Sequence, residues 1–470
     1  MLNLLQRLAS QQPDRAALIF EGQTVNYEAL CERVEGIAVH LRTQGVSKGH
    51  HVALIMDNHR AFVESLYAIW VIGAVAVPLN PDYTEAELSY ILDNGDVRYA
   101  IVASTDGIGK VPYTTIEEIN HVEGCKPTNW HVTDTETALI LYTSGTTGKP
   151  KGAMLSHLNL YSNARDVAQF FLYKTTDIVI VALPLFHVFA LTVALNAPLF
   201  VGAKLIILPR FSPTTVLDTI EREQVTLFAG VPLMYNYMVQ AATKRDLSSL
   251  RLAISGGSPL PLAIHEKFAS IFNIQISEGY GLSEASPVTC FNPVGRTKIG
   301  TVGTAIPNVS LKIIDEGLSE VATGHIGELA VSGPNVMAGY YKNAEATTAA
   351  FTGHYLRTGD LAFIDSEGYV TIIDRKKDLI LVGGYNVYPK EVEEVLYRHP
   401  DITEVAVVGK RSKQLDEEVV AFVVSNTKLD EEDLKAYCAK RLVRYKCPVR
   451  IQQIEMLPKN STGKILKYEL

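Results

Sequence analysis

The feature that most restricts how this chain folds is Ala138-Leu139-Ile140-Leu141, followed at once by Tyr142-Thr143-Ser144-Gly145-Thr146-Thr147-Gly148-Lys149-Pro150-Lys151-Gly152. A short apolar run closed by glycine and proline reads as the end of a buried strand. The turn behind it packs small hydroxyl residues and glycines together, then two lysines. Thr143, Ser144, Thr146 and Thr147 offer hydroxyl donors, while Gly145, Gly148 and Gly152 let the backbone come close to a ligand. Successive backbone N–H groups in such a turn form an anion-binding concavity, and Lys149 and Lys151 add point charge. The ligand that fits is a polyphosphate; the plain alternative is a Ser/Thr/Gly linker with two solvated lysines. A Walker A loop does not fit. It needs four residues between its first glycine and Gly-Lys-Ser/Thr, whereas two residues separate Gly145 from Gly148 and Pro150 follows Lys149.

Around this turn, strand and helix patterns alternate. Thr24–Leu30 reads as a strand passing into a helix, Gly49–Met56 as a buried strand, Asn58–Gly73 as a helix and Val75–Pro81 as a strand and turn. Asp177–Pro184, Lys204–Leu208 and Leu252–Ser255 supply further strands. Such alternation predicts an α/β fold with parallel sheets covered on both faces. After about Gly300 the texture changes to short strands bounded by Gly and Asp, such as Ser310–Asp315 and Gly327–Gly333, which predicts a small β-rich subdomain. From Asp374 the pattern is mixed and charge-rich, as expected for a separate small unit. The charge run Asp374-Arg375-Lys376-Lys377-Asp378 is the boundary candidate, dividing the chain into 1–376 and 377–470.

At 470 residues the chain is long for a single core and suggests about three domains or subdomains. A net charge of −8 argues against nucleic acid, whose phosphates need a basic face. The cysteines (Cys31, Cys125, Cys290, Cys438 and Cys447) are odd in number and lack a C-x-x-C pair, which points to reduced thiols in a cytoplasmic protein and not to a zinc site. The first twenty residues carry Arg7, Asp14 and Arg15 and no uninterrupted apolar core, unlike a signal peptide. The run Ile178–Ala203 has no formally charged side chain over more than a bilayer span, yet Pro184, His187, Asn196, Pro198 and Gly202 break it. It is expected inside the α/β core, leaving no transmembrane segment.

The stretch 142–152 resembles the phosphate-binding loop of the adenylate-forming superfamily, which comprises acyl-CoA synthetases, luciferases and peptide-synthetase adenylation domains. Further stretches resemble that superfamily's motifs, in its order. Leu183-Pro184-Leu185-Phe186-His187 is similar to the acyl-pocket motif, which puts His187 near the substrate carboxylate; taken alone it is a core histidine. Amino-acid-activating members commonly carry Asp directly after this Phe. With His187 there, nothing neutralises an ammonium, and a fatty or otherwise apolar acid is the better match. Ser255-Gly256-Gly257-Ser258 resembles the adenine-contacting turn, implying contacts from Gly256, Gly257 and Ser258; an ordinary strand-to-helix turn fits equally well.

In Glu278-Gly279-Tyr280-Gly281-Leu282-Ser283-Glu284 the resemblance implies that Tyr280 stacks on adenine beside Gly281, that Ser283 binds the α-phosphate and that Glu284 holds Mg2+ through carboxylate oxygen. The family usually has Thr at Ser283. Thr143 joins Glu284 as a metal candidate. Asp360, closing Tyr355-Leu356-Arg357-Thr358-Gly359-Asp360, matches the ribose acceptor, and Arg375 a second ribose-binding group. Lys377 matches the hinge position. Gly383, Gly384 and Tyr385, within Leu381–Pro389, resemble the loop lining the CoA tunnel, against the rival reading of a tight hairpin without ligand. Lys464, in Pro458–Lys467, matches the catalytic lysine, although by composition it is a solvated tail charge; Lys467 stands where Arg is often found.

The resemblance implies a large N-terminal domain of two parallel-sheet α/β subdomains plus a small β-barrel, then a small mobile α+β domain. The activity it implies is ATP-dependent activation of a medium- or long-chain fatty acid as acyl-AMP, followed by transfer to CoA, closest to fatty-acid–CoA ligases. Lys464, Glu284 and His187 are the catalytic candidates, with ATP, Mg2+ and coenzyme A required. An aryl or other acid, an acyl carrier protein as acceptor, peripheral contact with a membrane and a homodimer stay open.

Overall fold

The computed structural model describes residues 1–143, 149–242, 245–412, 416–459 and 465–470. Two large sheets carry most of the chain. In the first, Thr137–Thr143, Val75–Leu79, His51–Ile55, Val97–Val102 and Tyr113–Thr115 run parallel, and Lys151–Ser156 and Gly339–Tyr340 extend the sheet antiparallel beyond Thr137–Thr143. In the second, Ile276–Gly281, Leu252–Ser255, Leu227–Gly230, Ile178–Val181, Lys204–Ile207 and Ala16–Phe20 are parallel neighbours, with antiparallel strands at both edges. Central strands such as Val75–Leu79 and Ile178–Val181 are near-continuous buried runs of apolar residues.

The helices begin and end where side-chain chemistry dictates. The Asn26 side chain accepts the Ala29 N–H to start Tyr27–Thr43, and Gly73 in the left-handed region ends Arg60–Ile72. Ser156 and Asn159 form a reciprocal cap at the start of His157–Phe170, directly after the strand Lys151–Ser156. Trp70 Nε1 donates to the Ala138 carbonyl at 2.9 Å, fixing the buried helix Arg60–Ile72 against the strand Thr137–Thr143. The uncharged run Ile178–Ala203 breaks into the strand Ile178–Val181, the π-helical turns Ala190–Asn196 and the helix Ala197–Val201. Among the described residues no helix is long and apolar enough to cross a membrane.

The β-rich subdomain expected after Gly300 is present. Its strands Ser310–Ile314, Gly327–Ser332, Tyr355–Ile364, Phe351–Thr352 and Val370–Arg375 form an open antiparallel sheet, not the closed barrel expected. Beyond it, the hairpin Ile380–Val382/Tyr385–Val387 and the sheet Ile402–Arg411, Glu417–Ser425 and Arg450–Gln453 pack with helices Pro389–Tyr397 and Glu431–Ala439. Among the described residues, no buried apolar cluster draws on both sides of Lys376: the first sheets and the β-rich subdomain share clusters ending at Ile372, and a separate core begins at Ile380.

Candidate active site

The stretch expected to bind phosphate connects two paired strands of the first sheet. Lys151 lies opposite Thr143 and Gly152 opposite Tyr142. Ser144, Gly145, Thr146, Thr147 and Gly148 lie outside the described residues, which show the two ends of the turn. At one end the Thr143 hydroxyl reaches the Lys151 carbonyl over 3.5 Å, at the limit of a hydrogen bond. At the other, exposed Lys149 holds Nζ 5.4 Å from the centre of the Tyr90 ring, and Lys151 Nζ lies 5.4 Å from that of Tyr340.

Tyr340 carries the connection onward. Its strand pairs with the return strand from the turn, and its hydroxyl donates to Glu284 Oε1 at 2.8 Å. Glu284 stands in the 3-10 turn Ser283–Ala285, and its own carbonyl accepts the Met337 N–H at 2.8 Å. Burial, reinforced by the neighbouring Glu284 charge, drives the Tyr340 phenol far above its usual range, so it remains a donor. One half-buried carboxylate with an oxygen pinned by a phenol is a donor set compatible with Mg2+, which needs few protein ligands. Among the described residues no group of three or more His, Cys, Asp or Glu forms a cage for a metal ion. The donor set therefore fits a metal that arrives with the phosphates.

The expected nucleoside residues meet in space. The strands Tyr355–Ile364 and Val370–Arg375 pair so that Asp360 faces Arg375, with Arg375 Nε 3.4 Å from Asp360 Oδ1. The Tyr280 hydroxyl donates to Asp360 Oδ2. Asp360 is 7% exposed, and burial together with that carboxylate pushes the Tyr280 phenol well up. Tyr280 and Glu284 flank one short bend, so the Tyr280–Asp360–Arg375 cluster and the Glu284–Tyr340–Lys151 series lie side by side.

Other expected residues receive a structural explanation beside the functional one. A Cβ on Gly281 would stand 2.2 Å from the Pro287 carbonyl oxygen, so close strand pairing already demands that glycine. The flat ring against Gly256 is that of Phe189, whose nearest atom would be 3.1 Å from an added Cβ. Gly257 turns the chain with φ +83°, and Ser258 is half-buried in the turn before helix Leu262–Phe272. His187 is half-buried at the start of the helical run, where its Nδ1 accepts the Phe189 N–H at 3.3 Å. Ser283 opens the 3-10 turn that bears Glu284. Gly383 and Gly384, with φ +55° and +82°, form the two-residue bend of a tight hairpin, and Tyr385 stacks on Tyr445 with ring centres 4.7 Å apart. Lys377 is exposed in the single turn Lys376–Asp378 between the two cores. Lys464 lies outside the described residues.

Three residues of this neighbourhood escape a reading of the sequence. Tyr340 carries no signal beyond the Gly339-Tyr340-Tyr341 aromatics; Glu328 is one more charge in a strand. Asn58, 5% exposed, is hidden because a polar residue before a helix reads as a cap. In the structure its Nδ2 donates to the Leu183 carbonyl at 2.9 Å and the Leu208 carbonyl at 3.2 Å, and its Oδ1 accepts the Leu185 N–H at 2.7 Å. It thereby seats the loop leading to His187 against the first sheet.

Comparison with known proteins settles the family. Residues 5–341 match the family described as AMP-binding enzyme, and residues 391–464 match its C-terminal domain. The chain belongs to the AMP-binding enzyme family. It is 33% identical to a long-chain-fatty-acid–CoA ligase of Bacillus subtilis (strain 168), covering 100% of this chain and 93% of that one. It is 35% identical to a feruloyl-CoA synthase of an Amycolatopsis species, covering 99% and 97%. Among solved structures, ATP-bound MatB from Rhodopseudomonas palustris superposes with a TM-score of 0.93 at 33% identity, covering 100% and 98%. O-succinylbenzoate coenzyme A synthetase (MenE) from Bacillus subtilis with ATP and magnesium gives 0.92 at 31%, covering 100% and 99%. This AMP-binding enzyme is an adenylate-forming acid–CoA ligase, with ATP and coenzyme A as substrates; in MenE the ATP is bound together with magnesium.

Proposed function

We propose that the acid is a medium- or long-chain fatty acid. The observation that carries this is the buried apolar run after His187: Val188, Phe189, Ala190, Leu191, Val193, Ala194 and Leu195 are at most 6% exposed, in a stretch without a charged group from Ile178 to Ala203. Bringing an ammonium or a second carboxylate into such surroundings without a partner is strongly unfavourable. A second reading, an aromatic acid, is supported by the 35% identity to a feruloyl-CoA synthase over nearly the whole of both chains.

The site residues then act as follows. Tyr280 lies against adenine, Asp360 accepts the ribose hydroxyls and Arg375 lies beside it, while Gly256, Gly257, Ser258 and Gly281 border the base. Thr143 to Lys149 hold the β- and γ-phosphates, and Ser283 the α-phosphate. A carboxylate oxygen of the acid forms a bond to the α-phosphorus as the bond to pyrophosphate breaks. His187 orients the acid, and the Lys464 ammonium neutralises developing oxygen charge. Glu284 and Thr143 would hold Mg2+, which when bound would supply charge neutralisation at the phosphates. The CoA thiol then attacks the acyl carbonyl and AMP leaves, with Gly383, Gly384 and Tyr385 lining its approach. The chain divides into units 1–376 and 377–470, with Lys377 as the hinge; the separate apolar cores on either side support this.

The test is pyrophosphate exchange into ATP across fatty acids of graded length and ferulate, with CoA-dependent AMP release as the second readout. Exchange should peak with a fatty acid. Ferulate exceeding every fatty acid tenfold would replace the acyl assignment with the aromatic one, and no exchange with any acid would refute the activation step.

A further inference from the structure

We propose that Glu328 is a positioning residue that holds Asp360 in its working orientation and ties it to the turn bearing Lys376 and Lys377. This rests on the reading of Asp360 as the ribose acceptor. Glu328 lies in the strand Gly327–Ser332 and is 5% exposed. It pairs with Leu361, whereas Ala330, two residues on, pairs with Arg357. The neighbouring strand therefore carries surplus residues, Thr358, Gly359 and Asp360, opposite Leu329. That is a β-bulge, the device that re-aims a side chain at the cost of ladder hydrogen bonds.

Side chains replace the lost ladder. Glu328 Oε1 accepts the Gly359 N–H at 3.3 Å, and the Thr358 hydroxyl donates to the Leu329 carbonyl at 2.8 Å while accepting the Asp360 N–H at 3.1 Å. Gly359 adopts φ +73°, which a β-carbon would strain. The other oxygen, Oε2, accepts Arg357 Nη2 at 2.8 Å and lies 3.8 Å from Lys376 Nζ. Burying a carboxylate this far is costly unless such partners satisfy its oxygens. Two of them have functional neighbours. Gly359 directly precedes Asp360, and Lys376 stands between Arg375, which faces Asp360, and Lys377. The setting of the ribose acceptor and the restraint on the turn thus share one carboxylate.

The test uses the full chain, with AMP as the probe and trypsin as the reporter of the turn. Glu328→Ala removes every contact and should weaken AMP binding about tenfold, with KM for ATP rising in pyrophosphate exchange and kcat held within twofold. Glu328→Gln keeps an acceptor for Gly359 and loses the charge facing Lys376. It should retain AMP affinity within threefold yet be cut after Lys376 and Lys377 several times faster than the parent. Full AMP affinity in Glu328→Ala, beside a loss in Asp360→Asn, overturns the inference. Full affinity in Asp360→Asn overturns instead the ribose reading beneath it. Should the alanine variant fail to fold, the glutamine variant decides, and an unchanged cleavage rate overturns the inference.

Discussion

Replacing Asn58 with alanine strands three buried backbone groups at once: the carbonyls of Leu183 and Leu208 and the N–H of Leu185. With Asn58 5% exposed, water has little access to them. A buried polar group left without a partner costs about 1–3 kcal/mol, and partial relaxation keeps the total below the simple sum, so a loss of ~3–5 kcal/mol is expected. Against a typical stability of about 5–15 kcal/mol this is severe, and in a unit of this size it corresponds to a fall in Tm of roughly 5 °C. Asn58→Asp should fare worse, because a carboxylate would face two carbonyl oxygens. The effect on function should be selective. The Leu183–His187 loop loses its anchor, so KM for the acid rises severalfold, while AMP affinity, which we propose rests on Tyr280, Asp360 and Arg375, stays within twofold. Thermal melting and paired titrations with AMP and the acid measure both. A Tm within about 1 °C of the parent, or equal losses for both ligands, would refute the bridging role.

Three further outcomes are expected. Burial holds Glu278 up at about 7 against an ordinary 4.5, with Lys390 pulling the other way. Its folded value being the raised one, the stability it contributes is complete below pH 4.5 and is lost as pH climbs to 7, by up to ~3 kcal/mol. Glu278→Gln should therefore gain in Tm over the parent progressively across that window and level off above it; a margin independent of pH would contradict the burial argument. Tyr340→Phe keeps the ring beside Lys151 but removes the donor to Glu284, so the Mg2+ concentration for half-maximal exchange should rise about tenfold. Direct Mn2+ titration in the presence of a non-hydrolysable ATP analogue checks it. Lys464→Ala should abolish acyl-AMP formation while thioester formation from supplied acyl-AMP largely persists; parallel loss of both half-reactions would count against the division between Lys464 and the Gly383–Tyr385 hairpin.

Local pattern alone marked out much of this protein. The strand Leu252–Ser255 is found at its expected residues, and helix Arg60–Ile72 and strand Val75–Leu79 lie within the runs read from apolar spacing. The interruption of Ile178–Ala203 by proline, asparagine and glycine foretold a folded interior segment, and the ordered series of motifs pointed to the family. These features are legible because burial periodicity and turn chemistry act over a few neighbouring residues. Tertiary structure decided which of those residues meet. The bond between Tyr280 and Asp360 spans eighty positions, and those of Asn58 to the second sheet more than a hundred. It also decided why particular residues are there: Gly281 yields to the Pro287 carbonyl, Gly256 receives the Phe189 ring, and Glu328 completes a bulge that appears only once two strands have paired out of register. Such contacts depend on strand order and register, which are fixed by packing between segments far apart in the chain and leave no periodic trace in any one of them.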